Sequence, residues 1–344
     1  MLGNLSLHIN RSARRRGMVR CLFGVVGALL FAMATNTFTP YMSALFAVMF
    51  LEKGQQALGV LKSIAALFGL FVLGLFGLVL GSFVQDFPSA TLLILGLAIY
   101  WTFRWVHIPE VLRMLFLILT LLLPYLSLTA APLGDVVLFA MIVNLAIALI
   151  FTQLAFLFFP EPLNEVTNTK KVNEDGPQFD VGKIALNGLA VLMPIVLYFY
   201  FFRPNSMLIT LVFILILGMD PSIYKSKKTL VIIVANFLGG TFAILAYNLL
   251  TITPTFSFYI FLIIGAGIYF TYHMHSNKAS APAFAIAYRA FFVVMGTIAS
   301  SSDEAGGLVA IRLFGIGLAV VYVIVAYKVM MYFNDPRLYG KETE

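Results

Sequence analysis

The sequence predicts an all-α polytopic membrane protein built from two parallel six-helix repeats, and three observations carry that prediction. Of its 344 residues 61% are hydrophobic and only 11% charged, with a mean hydropathy of +0.97. That leaves too little polar surface to coat a soluble globule of this length. The apolar runs are bounded by Pro, Gly and charge without strict alternation, so backbone groups in lipid must be satisfied within helices rather than in a barrel. The chain also repeats itself: Leu95-Gly96-Leu97-Ala98-Ile99-Tyr100-Trp101-Thr102-Phe103 reappears as Ile264-Gly265-Ala266-Gly267-Ile268-Tyr269-Phe270-Thr271-Tyr272, with Gly, Ile, Tyr and Thr in matching order.

Taken in order, the first half gives segments over about 20–36, 41–51, 59–84, 90–105, 111–130 and 135–159. The first follows the basic residues Arg11, Arg14, Arg15 and Arg16 and ends in Ala32-Met33-Ala34, which imitates a cleavable leader. Its counterpart over 181–202 cannot be a leader, so both are read as first helices of a repeat. The second half continues with 206–219, 229–250, 256–272, 282–300 and 307–332. The second segment of each half is short and follows a proline, Pro40 or Pro204. Segments of that length suit re-entrant or incompletely spanning helices, and short Pro-interrupted segments at matching positions point to a transporter's central site. Further matched marks are Pro88 beside Pro254, and Leu112-Arg113-Met114-Leu115-Phe116 beside Tyr288-Arg289-Ala290-Phe291-Phe292. The expected organisation is a first membrane repeat over 1–160, a polar cytoplasmic linker over 161–180 carrying Glu165, Lys170, Lys171, Glu174 and Asp175, and a second repeat over 181–344 with a short cytoplasmic tail.

With a cytoplasmic N-terminus, the inner loops are 52–62, 104–113, the linker, 220–228, 273–278 and the C-terminus. They and their helix ends hold about twenty of the 22 Lys and Arg residues, the clear exceptions being Arg203 and Arg312. An even number of crossings per half sets both repeats the same way up and both termini in the cytoplasm. The net charge of +7 is therefore a topology signal rather than a nucleic-acid signal. The single cysteine, Cys21, permits no internal disulfide. His273-Met274-His275 is too sparse for a metal site, and the absence of a P-loop, nucleophile elbow or zinc-protease helix gives no sign of an enzyme or of a cofactor.

Ionisable residues at or inside apolar segments are functional candidates, because burying them in lipid is costly. Arg312 lies between Ile311 and Leu313 in the last segment and would contact an anion, or else snorkel or pair with Asp303 or Glu304. It aligns with Met141, so the pathway would not be chemically two-fold. Arg113 and Arg289 occupy matching fifth-segment positions, where guanidiniums would attract and hold carboxylates, or act as positive-inside anchors. Arg203 beside Pro204 offers the same choice at the outer interface. Asp220, ahead of Pro221 and Ser222, and Glu52, ahead of Lys53, end the two short segments. Either would carry a coupling proton or serve as a loop acid neutralising Lys53 or Lys225. Asn144, Gln153, Asn187, Asn236 and Asn248 suit interhelical hydrogen bonds, while Gly69, Gly74, Gly77, Gly81, Gly239 and Gly240 suit close helix approach.

Two six-helix halves, the linker, the post-proline short segments and the motifs Thr39-Pro40, Arg203-Pro204, Asp220-Pro221-Ser222 and Arg312-Leu313-Phe314-Gly315 together resemble one group. This is the fusaric-acid-resistance and aromatic-acid-exporter family of bacterial inner-membrane proteins, and more narrowly its compact permease branch. The resemblance implies proton-driven export of aromatic carboxylic acids and related toxic compounds, often with a periplasmic adaptor (membrane fusion) protein. Plant aluminium-activated malate channels are similar at the six-helix level, with two subunits around an arginine-lined anion path. Many exporters of the group carry sizeable cytosolic domains after each half, for which the linker and tail leave no room. The leading expectation is thus a permease exporting an organic, aromatic, anion between the two halves. Its rivals are a passive anion channel and a non-transporting membrane partner of an adaptor or envelope-assembly factor.

Overall fold

The computed structural model of the chain describes residues 2–105, 110–129, 131–160, 181–202, 214, 227–300, 314–315, 317–319 and 321–329. Every regular element among them is an α-helix: α1 (Leu2–Ala34), α2 (Tyr41–Leu51), α3 (Val60–Asp86), α4 (Pro88–Arg104), α5 (Glu110–Thr129), α6 (Ala131–Phe158), α7 (Val181–Phe202), α8 (Lys227–Ile252), α9 (Phe256–Met274), α10 (Ala281–Ser300) and α11 (Gly317–Val329). The expected eighth segment, 206–219, lies outside the described residues apart from Ile214, which is helical and buried.

Among the described residues six helices are long and apolar enough to cross a membrane: Arg14–Ala34, Val60–Val84, Pro132–Phe158, Ala185–Phe202, Val234–Ile252 and Phe256–Met274. Large apolar side chains such as Leu61, Phe68, Phe139, Leu157 and Phe261 stand exposed on their faces, an arrangement that lipid solvates and water does not. The first helix departs from its expected bounds. It begins at Leu2 rather than near residue 20, because the basic residues continue the helix instead of breaking it; Arg and Lys are good helix formers and only hydropathy, not helicity, changes there.

The described chain forms two compact units that interleave along the sequence. Unit 1 gathers Met1–Leu67, Ala140–Glu174 and Val231–Ile311, while unit 2 gathers Phe68–Phe139, Asp175–Leu230 and Arg312–Glu344. Neither unit is confined to one side of the linker.

In unit 1 the 11-residue α2 is about 16 Å long at 1.5 Å per residue, roughly half a hydrocarbon core. It is apolar on all sides, and Ala44, Ala47, Val48 and Leu51 are wholly buried. It packs against both α1 and α10. Ser43 Oγ donates to the Ala28 carbonyl at 3.1 Å and to Pro40 at 2.6 Å. A Cβ on Gly24 would fall 2.3 Å from Leu51 Cδ1, and one on Gly27 2.6 Å from Phe151, so glycine there lets α1 lie close to α2 and α6. The turn into α2 holds two non-glycine residues at positive φ, Asn36 at 49° and Thr39 at 55°. The buried Asn144 of α6 clamps that turn by donating to the Phe38 carbonyl at 2.9 Å. The strain of a β-branched residue at positive φ is thus tied down by a hydrogen bond.

In unit 2, α4 lies along α7. A Cβ on Gly188 would strike the Phe103 ring at 2.5 Å, and Gly96 sits at ordinary contact distance from Leu189 and Met193. Tyr125 meets Phe199 and Tyr200 edge-on, and Tyr200 Oη donates to the Leu121 carbonyl at 3.0 Å. The α3 glycines behave as packing positions, with one exception. Gly74, Gly77 and Gly81 face Leu138, the Leu119 carbonyl and Ser127, whereas Gly69 faces open space.

Candidate functional site

The chemistry-bearing side chains of unit 1 collect where α2 ends. Because α2 is only 11 residues long, Glu52 follows directly on the buried Leu51 at its C-terminal end. Tyr41 at the other end of α2 touches Gly296 of α10, so the two helices run antiparallel and bring Arg289 to Glu52. Arg289 Nη2 stands 3.6 Å from Glu52 Oε2, the side chains being 30% and 25% exposed. Arg289 Nε also donates to Ala285 on its own helix at 3.4 Å. The ion pair is longer than a charge-assisted hydrogen bond. Coulomb attraction holds it without a locked fork geometry.

Three further cations of unit 1, Lys53, Arg20 and Arg14, gather about His275. Lys53 Nζ donates to the Ser276 carbonyl at 2.9 Å and to Asn277 Oδ1 at 2.8 Å, turning it onto the α9–α10 loop rather than onto Glu52. The reading of Glu52 as a loop acid neutralising Lys53 is therefore corrected: its partner is Arg289. Arg20 of α1 is 5% exposed, with its guanidinium 4.2 Å above the Phe156 ring. Arg14 donates to the Tyr272 carbonyl at 2.9 Å and lies 4.5 Å over the Tyr272 ring. His275 caps α9 with Nδ1–H donating to the Thr271 carbonyl at 3.1 Å. Its buried Nε2 faces Gly17 and makes no hydrogen bond.

Burial pushes the Glu52 carboxyl above the ordinary carboxylate range, and the Arg289 guanidinium pulls it back part of the way. Burial also pushes His275 down to about 4; its bond to Thr271 opposes this, while Arg20, Lys53 and Arg14 add to it. His275 is therefore neutral in the folded protein at pH 7. An unfolded histidine takes up a proton near pH 6.5, so the stability His275 contributes is full above about 6.5 and falls as pH drops toward 4. Glu52 acts in the opposite sense, since its raised carboxyl favours the folded state at low pH and that favour is lost as pH rises. Thermal melts of detergent-solubilised protein should show His275→Asn losing less stability than the wild type between pH 7 and pH 5. Parallel melting curves would remove His275 from this role.

The other sequence candidates separate. Arg113 lies in α5 of unit 2, with its Nε buried and without a hydrogen-bond partner. Arg203, Asp220 and Arg312 lie outside the described residues. Sequence reading named Glu52 and Arg289 for different tasks and passed over Arg14, Arg20 and His275 as anchors or loop residues. The available signal for Arg20 was its place beside Cys21 at the start of an unbroken apolar run, which a solvated anchor would not need. No protein-family model, curated protein or solved structure matches the chain.

Proposed function

We propose that the chain is a multi-pass permease of the bacterial inner membrane that exports organic, aromatic, anions from the cytoplasm with proton coupling, its termini cytoplasmic and a periplasmic adaptor as a partner. The observation that carries this reading is the Glu52–Arg289 ion pair, set at the end of the short α2 in the same compact unit as the cations Arg20, Lys53 and Arg14 about His275. A cluster of cations attracts anions and orients a carboxylate. Burial raises the Glu52 carboxyl and Arg289 lowers it, so engaging Arg289 elsewhere favours proton uptake by Glu52.

The composition of the compact units supports the two-repeat architecture. By segment order, unit 1 combines the first, second and sixth segments of the first half with the third, fourth and fifth of the second; unit 2 holds the complementary set. Reciprocal exchange of this kind is what two copies of one six-segment unit, each trading the same three segments, would produce. On that reading Arg113 of unit 2 is the counterpart of Arg289.

Flux tests the proposal. Full-length protein in liposomes loaded with poorly permeant aromatic acids, such as phthalate and benzenesulfonate, should release at least one of them faster than protein-free liposomes, with a rate that depends on an imposed pH gradient. Release indifferent to pH would favour the passive channel. Absence of release for every acid, with retention of an adaptor through purification, would favour the non-transporting partner.

A further inference from the structure

Among the described residues Glu52 is the acid paired with Arg289, a guanidinium placed to receive a substrate carboxylate. Lys53 donates to Ser276 and Asn277, and Arg14 to Tyr272. At 3.6 Å, with both side chains about a quarter to a third exposed, the Glu52–Arg289 contact is reachable from water and is not a locked bidentate pair. An incoming carboxylate and the Glu52 carboxylate are chemically equivalent ligands for it. Both cannot occupy it ionised, because two carboxylates at one guanidinium repel.

We propose, resting on the anion-permease reading above, that Glu52 is a built-in competitor for the substrate: an organic carboxylate binds Arg289 by taking Glu52's place, and Glu52 takes up one proton from bulk water as it is displaced. The O–H bond forms on the Glu52 carboxyl and the proton leaves solvent; no other bond changes. Glu52 is faced by Arg289 from α10 and by Cys21 from α1, while Arg20, Lys53 and Arg14 act on His275. His275 is held neutral by burial. Glu52 is the group left to carry the proton, and its burial already favours the neutral form once Arg289 is engaged elsewhere.

The linkage has a definite sign. Proton and anion bind together, so affinity for the anion rises as pH falls, approaching tenfold per pH unit where Glu52 is ionised in the free protein. Proton and anion are then bound together and released together.

Calorimetric titration of the solubilised full-length protein with benzoate, and with acetate as a smaller carboxylate, tests this between pH 6 and pH 8, where both probes stay ionised. Two buffers of different ionisation enthalpy report proton uptake. The expected result is close to one proton taken up per benzoate at pH 7.5 and tighter binding at pH 6. Glu52→Gln should bind benzoate at least as tightly as the wild type does at pH 6, without pH dependence or proton uptake, and Arg289→Gln should lose binding at every pH. Binding by the wild type with no proton uptake and no pH dependence would overturn the competition while leaving the anion reading standing. No binding of either carboxylate at any pH would overturn the anion reading itself. The buffer comparison on the wild type decides the matter even where Glu52→Gln does not fold.

Discussion

Arg289→Ala is expected to reduce release of aromatic acids from loaded liposomes by tenfold or more while leaving the protein folded. The two halves of that expectation come from separate magnitudes. Deleting one member of a fully buried ion pair costs about 3–5 kcal/mol, and an exposed pair contributes only about 0–1. Glu52 and Arg289 are 25% and 30% exposed, and burial favours the neutral form of Glu52 once its cation is gone. A stability loss of about 1–2 kcal/mol is therefore expected, too small to empty the folded state. Arg289→Lys should sit between wild type and Ala, because an ammonium keeps the charge but not the planar fork that receives a carboxylate. Wild-type flux in Arg289→Ala, at a normal protein level, would dissociate this residue from transport.

Gly239→Ala is expected to be the most damaging single-methyl change in unit 1. A Cβ there would lie 2.2 Å from the Ala287 carbonyl oxygen, 2.8 Å from Ala290 Cβ and 2.9 Å from the Phe291 nitrogen. Two of those three atoms are backbone, so no side-chain rotation relieves the clash and α8 must move away from α10. Overpacking of this kind costs typically about 1–3 kcal/mol, and the backbone obstruction places Gly239→Ala at the upper end, with Gly239→Val beyond it. Because α10 also carries Arg289, displacement of that helix should weaken anion binding as well as lower the melting temperature. Gly265→Ala in α9 is the matched control, since nothing lies within 4 Å of the added methyl; its melting temperature should stay near that of the wild type. Equal melting temperatures for the two variants would show that the α8–α10 contact is not held at the described distance.

Much of this was legible along the chain. Helix α7 spans the predicted 181–202 and α2 the predicted 41–51, because Pro40 and the charges after Leu51 bound an apolar run whatever it packs against. Gly74, Gly77, Gly81 and Gly239 were marked for close approach by composition alone. Asn144 and Gln153 do bond to other segments, Asn144 to Phe38 and Gln153 to Leu58 and Ser63. Asn236 instead satisfies itself on its own helix through Ile232. The repeated motif contains Gly96, in contact with Leu189 and Met193, and its partner Gly265, in open space; equal residues in a repeated motif met unequal surroundings.

By itself the sequence determined that this protein is helical, that it carries apolar helices of membrane-crossing length, and where most of those helices start and stop. Hydropathy, proline and charge act over a turn or two, and each helix in lipid must satisfy its own backbone, so these properties are written locally. Only the tertiary structure decided that Glu52 belongs with Arg289 and not with its neighbour Lys53, that Arg20 and His275 are buried beside that pair, and that the compact units draw segments from both sides of the linker. Ion-pair partners and glycine contacts depend on which helix faces arrive together. Residues far apart in sequence meet there only because the half-length α2 stops short between α1 and α10 and leaves its terminal acid facing an arginine from the other half of the chain.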